Sequence, residues 1–423
     1  MKYTQTEVLQ YIFENDVKFI KLFFTDIFGA LKSVTIMPGE LEHAFASGIS
    51  FDASSVRGFR GLCNSDLFLH PDAGTLAVLP WRPQQGRVVR FLSHIRNPDG
   101  SPFAADSRHI LTNTASQAAS QGYTCHAGTE CEFYLFEVDE QGRATGKTHD
   151  AAGYCDLAPK DKGENIRREI CLTLTKMGLE PETSRHEAGP GQHEIVFRHS
   201  DICSAADNLT TFKLAVQTMV SRNGLFASFM PKPVETQSGN GLHINLSLRR
   251  GDANLFNRTP LPNEAAQFVA GILRRVREIT AFLNPLRNSY QRFGGQEAPK
   301  YVCWAPLNRS QLVRIPAGSG EYARMELRSP DPSCNHYLAF SLILAAGLEG
   351  IREKLPLQEP SNFDVYSAPQ ESLKDLALLP QSLEEAIALA EGSAFVKAAL
   401  GAPVAAAYLN AIKAAPDPQF GDL

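Results

Sequence analysis

Gly128-Thr129-Glu130-Cys131-Glu132-Phe133-Tyr134-Leu135-Phe136 is the stretch from which the chain is best read. It has the composition of a strand, placed at 131–136, and in a strand residues i and i+2 face the same side. Glu130 and Glu132 then point together, while Cys131, Phe133 and Leu135 face the other way. Two carboxylates this close repel one another and lose hydration. A cation between them is the simplest relief. The solvated face of an amphipathic strand would give the same pattern, so the pair alone leaves both readings open.

Three further elements carry the same kind of signal. Glu187-Ala188-Gly189-Pro190-Gly191-Gln192-His193-Glu194 contains a Gly-Pro-Gly reversal, which predicts a hairpin with Glu187 and Glu194 on facing strands at matched depth. An ordinary hairpin with charged flanks is the alternative. Ser238-Gly239-Asn240-Gly241-Leu242-His243-Ile244-Asn245-Leu246-Ser247-Leu248 is a glycine-rich turn entering an alternating strand. Its glycines let backbone N–H groups approach an anion. His243, Asn245 and Ser247 share one face, as a cation ligand and hydrogen-bonding groups for a polar molecule would. In Arg324-Met325-Glu326-Leu327-Arg328 two guanidiniums flank a carboxylate. That is either a structural ladder or a metal carboxylate held between anion-binding forks. Arg309 and Arg314 lie five apart, and Arg292 precedes the loop Gly294-Gly295-Gln296-Glu297-Ala298-Pro299.

Glutamates with one imidazole suit Mg²⁺ or Mn²⁺ better than a closed zinc site. Surplus arginines suit phosphates and a carboxylate. The chain has no G-x-x-x-x-G-K-[ST] and no G-x-G-x-x-G, so a nucleotide is not held by a P-loop or Rossmann turn. The residues point to metal-assisted phosphoryl transfer from a nucleotide.

The rest of the chain sets the frame. Its 423 residues predict two or three domains. Hydrophobic residues at 43% and charged residues at 21% exclude a disordered or fibrous protein. With 41 Lys plus Arg against 46 Asp plus Glu, the net charge of -5 gives no pull toward nucleic acid or an anionic membrane. No apolar run is long enough to span a bilayer, and the Met1-Lys2-Tyr3 start carries no signal-like segment. Eight scattered cysteines without a C-x-x-C pair read as buried thiols in a reducing cytoplasm.

A helix over 6–16 with Val8, Leu9, Ile12 and Phe13 on one face, then strands over 17–25, 31–36, 75–79 and 88–95, make a small α+β unit. The turn Asn97-Pro98-Asp99-Gly100 divides the chain into domains 1–100 and 101–423. The second is also α+β. Helices are expected over 107–121, 166–178, 264–282 and 336–352, and strands over 192–197 and 242–248. A helical tail over 382–415 stops at Pro416-Asp417-Pro418.

In order and spacing these motifs resemble glutamine synthetase of the bacterial type I class. So do Phe51-Asp52-Ala53-Ser54-Ser55-Val56-Arg57-Gly58-Phe59, Asn288-Ser289-Tyr290, Asn308-Arg309-Ser310 and Arg328-Ser329-Pro330-Asp331-Pro332. The resemblance runs from about Val17 to about Leu409. It implies an N-terminal β-grasp-like domain and a catalytic domain built on a curved antiparallel sheet flanked by helices. It implies ligation of ammonia to the γ-carboxylate of L-glutamate through γ-glutamyl phosphate, with ATP and two or three Mg²⁺ or Mn²⁺ ions per site. Carried over by motif, Glu132, Glu187 and Glu194 would hold one metal, and Glu130, His243 and Glu326 a second on the ATP phosphates. Ser238, Gly239, Arg292 and Arg328 would contact glutamate. Arg309, Arg314 and Arg324 would meet phosphate charge, and Glu182, Asn245 and Ser247 the nucleotide. Asp52, Ser55, Tyr154 and Glu187 would form the ammonium pocket, closed by Glu297 on a flap. In the family the loop bearing Asp52 comes from a neighbouring subunit, which implies a homo-oligomeric ring.

The sequence departs from the family pattern in places. The usual flap, Arg-Leu-Val-Pro-Gly-Tyr-Glu-Ala-Pro, is here the shorter Arg292-Phe293-Gly294-Gly295-Gln296-Glu297-Ala298-Pro299, which predicts an altered lid. Ser238 stands where an Asn is common, Ala53 where a Gly is usual, and Arg185 where a His is usual. Tyr366 lies near a position modified in some relatives, in a different context. Relatives continue past the position of Tyr408-Leu409 into a tail linking two rings, so single and double rings both stay open. A γ-glutamyl-amine ligase using an alkylamine or polyamine is the alternative function. A non-catalytic ring protein is disfavoured by the complete ligand set, and a phosphagen-type phosphotransferase leaves the Asp52 loop without a role.

Overall fold

The computed structural model describes residues 3–416, apart from 64, 259 and 296. The Met1-Lys2 start, Gln296 of the flap and the Asp417-Pro418 break therefore lie outside the described residues. The first helix, Gln5–Glu14, starts at a capping box in which Thr4 and Glu7 satisfy each other's backbone amides. Val8 and Ile12, one turn apart, bury their side chains, but Phe13 is 89% exposed. One residue beyond Ile12 is a further 100° around the helix, which takes Phe13 off the core face.

The small domain is a six-stranded sheet in the order Leu31–Ile36, Val17–Thr25, Arg87–Arg96, Asp66–Pro71, Ile49–Asp52, with Ala77–Val78 on the side of Arg87–Arg96. Val17–Thr25 and Arg87–Arg96 run parallel and the other pairs antiparallel. This is the mixed sheet of a β-grasp domain. The strand expected over 75–79 shrinks to Ala77–Val78. Asp72 accepts from Gly74 N and its carbonyl from Thr75 Oγ1, winding Ala73–Thr75 into a 3-10 turn. Asn97 to Gly100 forms the expected turn, with Gly100 N bonded to Asn97 O at 2.9 Å.

The large domain is built on an eleven-stranded sheet. Its main path is Trp304–Pro306, Val313–Ile315, Met325–Leu327, Leu242–Arg250, Thr124–Val138, Gln192–Phe197, Pro181–His186. The pairs along it are antiparallel except Trp304–Pro306 with Val313–Ile315, which is parallel. The long central strand Thr124–Val138 buries Cys131, Phe133 and Leu135 completely on one face. There the helices Ser107–Ser120 and Ile202–Arg222 pack on it, with Phe133 edge-on to Phe212. The opposite face carries His126, Glu130 and Glu132, with Tyr134 and Phe136 stacked and buried beyond them. Ile202–Arg222 is missed by sequence periodicity, because Asn208, Thr210 and Thr211 interrupt an otherwise regular apolar stripe.

Asn263–Leu283 and His336–Arg352 pack at backbone distance through glycines. A Cβ on Gly350 would sit 2.1 Å from Gln267 O, and one on Gly271 2.1 Å from Ala346 O. Gly350→Ala is therefore expected to destabilise the domain by about 1–3 kcal/mol through overpacking, read as a lower urea midpoint at unchanged m-value. An unchanged midpoint would mean the helices separate without cost. The tail is three helices, Leu383–Gly392, Ala394–Leu400 and Ala402–Ala414. The last two are bent by 108° at Gly401, whose φ is +84°. Among the described residues no single helix is long and apolar enough to cross a membrane. All eight cysteines are free thiols. Cys125, Cys131, Cys303 and Cys334 are buried as expected, whereas Cys63, Cys171 and Cys203 are half-buried and Cys155 is exposed.

Candidate active site

Strand register assembles the site. Glu132 lies opposite Glu194, Glu130 opposite His243, Asn245 opposite Glu326, and Glu326 opposite Arg314. Neighbouring strands thus carry their polar residues to the one face that the helices leave uncovered. Glu187 and Glu194 share this face but are not at matched depth. Glu187 N bonds to Gln192 O, and Glu194 pairs with Arg185, two residues earlier. The Gly-Pro-Gly tip needs its glycines, since Gly191 has φ +68° and a Cβ on Gly189 would overlap the Tyr134 hydroxyl.

Glu132, Glu187, Glu194 and Glu326 are buried, Glu130 is half-buried, and their partners differ. Asn245 Nδ2 donates to Glu130 Oε1 at 3.0 Å, and His243 Nδ1 is 3.4 Å from Glu130 Oε2 and 3.5 Å from Glu326 Oε1. Burial alone would raise Glu130, but His243, Asn245 and Arg324 hold it far below the usual carboxylate range. Glu326, 1% exposed, accepts from Arg314 Nη1 at 2.9 Å and Arg328 Nη1 at 2.6 Å. Burial opposes its ionisation, and His243 and Arg328 lower it overall. Glu132 accepts from Gly241 N at 2.7 Å and Gln192 Nε2 at 3.1 Å. The amide expected to meet an anion at this glycine turn is thus already given to Glu132. Burial and repulsion from Glu132 push Glu187 up to about 7, and burial with repulsion from Glu130 and Glu132 raises Glu194 well above its ordinary value, each against the pull of Arg185.

Ligand chemistry fits a divalent ion on the Glu130 side. Glu130, Glu194 and His243 offer atoms within 4.8 Å of one another, and Glu326 adjoins them. The trio Glu132, Glu187 and Glu194 fits one less simply, because Arg185 donates to both Glu187 and Glu194.

A cleft of about 980 Å³ opens over these groups. Its lining includes Glu132, Tyr154, Glu187, Ser238, Gly239, His243, Arg292, Glu297 and Arg309. Arg292 is 3% exposed and lies against Gly239, where a Cβ would come within 2.6 Å of it. Arg328 is fully buried, with Nη2 3.7 Å from the Glu297 carboxylate. Among the described residues, Arg292 Nε, Arg314 Nε and both Nε and Nη2 of Arg328 are buried without a hydrogen-bond partner. Unpaired buried guanidinium N–H groups are costly, and an anionic ligand is their natural complement. Glu297 has φ +61° and an exposed side chain, as a movable flap residue would. On the other side of Glu130, a narrow second cleft gathers Glu182, Asn245, Ser247 and Arg324, with Arg324 Nε bonded to Asn245 Oδ1 at 2.7 Å.

Asp52 and Ser55 are not brought to this chain's own cleft. They sit on the small domain in an exposed turn, where Ser54 and Ser55 hydroxyls donate to the Asp52 carboxylate at 2.6 Å and hold it below its usual value. Lys232, Asp364 and Tyr366 line the large cleft, and His126, His199 and Tyr322 the narrow one. Of these sequence reasoning singled out only Tyr366, and for a different role. The MPKP run bearing Lys232 gave no charge pattern to follow. Behind the hairpin, Asp150 accepts from His186 at 2.9 Å, and Arg167 pairs with Asp161 and His193 at 2.6 and 2.8 Å. His186 and His193 alternate with Glu187 and Glu194, so this buried network braces the carboxylates from the opposite face. Arg167 already supplies its positive charge.

Comparison with known proteins agrees with this architecture. The model of the glutamine synthetase β-grasp domain matches residues 16–98, and that of the glutamine synthetase catalytic domain matches residues 104–416. The chain is 44% identical over 415 residues to a glutamine synthetase of Clostridium saccharobutylicum, covering 96% of this chain and 94% of the relative. It is likewise 44% identical over 415 residues to one of Methanosarcina mazei, covering 96% and 93%. Among solved structures, a GmaS/ADP complex superposes with a TM-score of 0.88 at 28% identity, over 97% of this chain and 95% of the other. Plasmodium falciparum glutamine synthetase shares the fold, with a TM-score of 0.85 at 24% identity, covering 98% and 96%.

Proposed function

The chain belongs to the glutamine synthetase family, and from that premise we propose how its own residues divide the work of ATP-dependent glutamine synthesis. The enzyme is an ATP-dependent ligase of glutamate and ammonia that uses divalent metal ions. One observation carries the assignment of roles: carboxylates and one histidine meet on a single sheet face, beside buried guanidinium N–H groups that have no hydrogen-bond partner among the described residues.

Arg292 and Arg328 bind the carboxylates of glutamate, with Ser238 and Gly239 shaping the wall. Arg309, Arg314 and Arg324 face the phosphates, and Glu182, Asn245 and Ser247 line the nucleotide side. The GmaS relative was solved as an ADP complex, which supports a nucleotide site in this fold. Glu130, His243 and Glu326 hold a divalent ion, which would supply charge for the γ-phosphate as it meets an anionic oxygen. The γ-carboxylate of glutamate displaces ADP from the γ-phosphorus, giving an acyl phosphate. Ammonia then attacks its carbonyl carbon and phosphate leaves. Ammonium itself is no nucleophile, so Asp52 and Glu297 attract it and accept its protons, with Ser55, Tyr154 and Glu187 completing the pocket. Glu297 on its flap also excludes water that would hydrolyse the intermediate. Asp52 reaches the site from a neighbouring copy, so the working form is a homo-oligomer, arranged as a ring, with shared sites.

The test is phosphate release from ATP with glutamate and a panel of amines. Ammonia should support turnover, and omitting glutamate, amine or Mg²⁺ should stop it. Turnover with an alkylamine and none with ammonia would replace this reading by a γ-glutamyl-amine ligase.

A further inference from the structure

Arg185 bridges two carboxylates, Glu187 and Glu194, with a third, Glu132, on the strand beyond Glu194. It lies opposite Glu194 in register and two residues before Glu187, so all three side chains share one face. Its Nε donates to Glu187 Oε1 at 3.0 Å, and its Nη2 bonds to Glu194 Oε2. Both partners are deeply buried, with side chains 11% and 3% exposed, and Glu132 faces Glu194 from the next strand. Glu132, Glu187 and Glu194 are the trio that would otherwise call for a divalent ion.

We propose that the Arg185 guanidinium is a built-in cation of the three-glutamate site, and that this chain binds one divalent ion fewer per active site than its Arg185→His variant. A guanidinium is always charged, and its planar fork bridges two carboxylates at once. A metal entering the trio would meet carboxylate oxygens already engaged and a cation at contact distance. A neutral imidazole offers no such competition. Lysine would keep the charge, and glutamine would remove it while remaining polar.

The inference rests on the reading of this face as a glutamine synthetase centre, and its test is a count rather than a rate. The full-length protein, stripped of metal with a chelator and free of nucleotide, is titrated with Mn²⁺ while free Mn²⁺ is followed by electron paramagnetic resonance. The wild type and Arg185→Lys should bind about one tight ion per subunit, and Arg185→His and Arg185→Gln about two. Circular dichroism and oligomer size verify that each variant is folded, and either neutral variant suffices for the comparison. Two tight ions in the wild type would overturn the proposal, because the metal would then displace Arg185 freely. An equal count in the wild type and a folded neutral variant would overturn it too. Glutamine formation by the same wild-type preparation is measured separately. Its absence would remove the functional reading and leave the ion count standing.

Discussion

Glu326→Ala is expected to abolish glutamine formation. Glu326 is 1% exposed and is gripped by Arg314 and Arg328 at 2.9 and 2.6 Å, with His243 at 3.5 Å. Truncation leaves two guanidiniums facing each other without their shared anion. Removing one partner from a buried pair costs about 3–5 kcal/mol, so the alanine variant loses stability as well as function. Glu326→Gln separates the two effects. It keeps the volume and one carbonyl acceptor, so the fold should survive, while the negative charge that we propose holds the ion, and that both arginines grip, is gone. Loss of one preorganised electrostatic contact at a reacting centre costs about 10²–10³ in kcat, and at least that is expected of the glutamine variant, whose fold is verified by circular dichroism and oligomer size. Full activity in Glu326→Gln would remove Glu326 from the metal set.

The second large effect is complementation between two inactive proteins. Asp52→Ala alone should fall to background, although the residue is exposed and, among the described residues, accepts hydrogen bonds from the neighbouring serines of its own chain. Glu326→Gln is inactive through the opposite domain. If Asp52 enters the site of a neighbouring copy, subunits unfolded together and refolded as mixed oligomers regain sites in which both halves are intact. Random 1:1 mixing predicts recovery of ~25% of wild-type activity, because each shared site draws its two halves independently. Either protein refolded alone stays inactive. No recovery in verified mixed oligomers would mean that Asp52 serves its own chain or no site at all.

The two sides of the sheet were legible locally. The alternation of Glu130, Cys131, Glu132 and Phe133 dictates which side chains share a face, and the strand forms over Thr124–Val138 as the pattern requires, though longer than the expected 131–136. The strands Gln192–Phe197 and Leu242–Arg250 and the helix His336–Arg352 were equally plain. The helix Ile202–Arg222 was not, because its polar interruptions are tolerated only where Thr210 reaches His336 and Tyr337 of another helix. Arg185 was visible as a departure from the usual histidine, and nothing local said that it would turn onto Glu187 and Glu194.

The sequence by itself determined the class of elements, the polar and apolar faces of each strand, and the ordered set of motifs that marks the family. Those follow from backbone periodicity, which acts over a few residues. Only the tertiary structure decided that Glu132 meets Glu194, that Glu130 meets His243, that Lys232 and Tyr366 reach the same cleft, and that Asp52 does not. Register between strands far apart in the chain is set by packing of the buried face and by cross-strand hydrogen bonds. The charge state of each carboxylate is then fixed by whichever neighbour that register delivers.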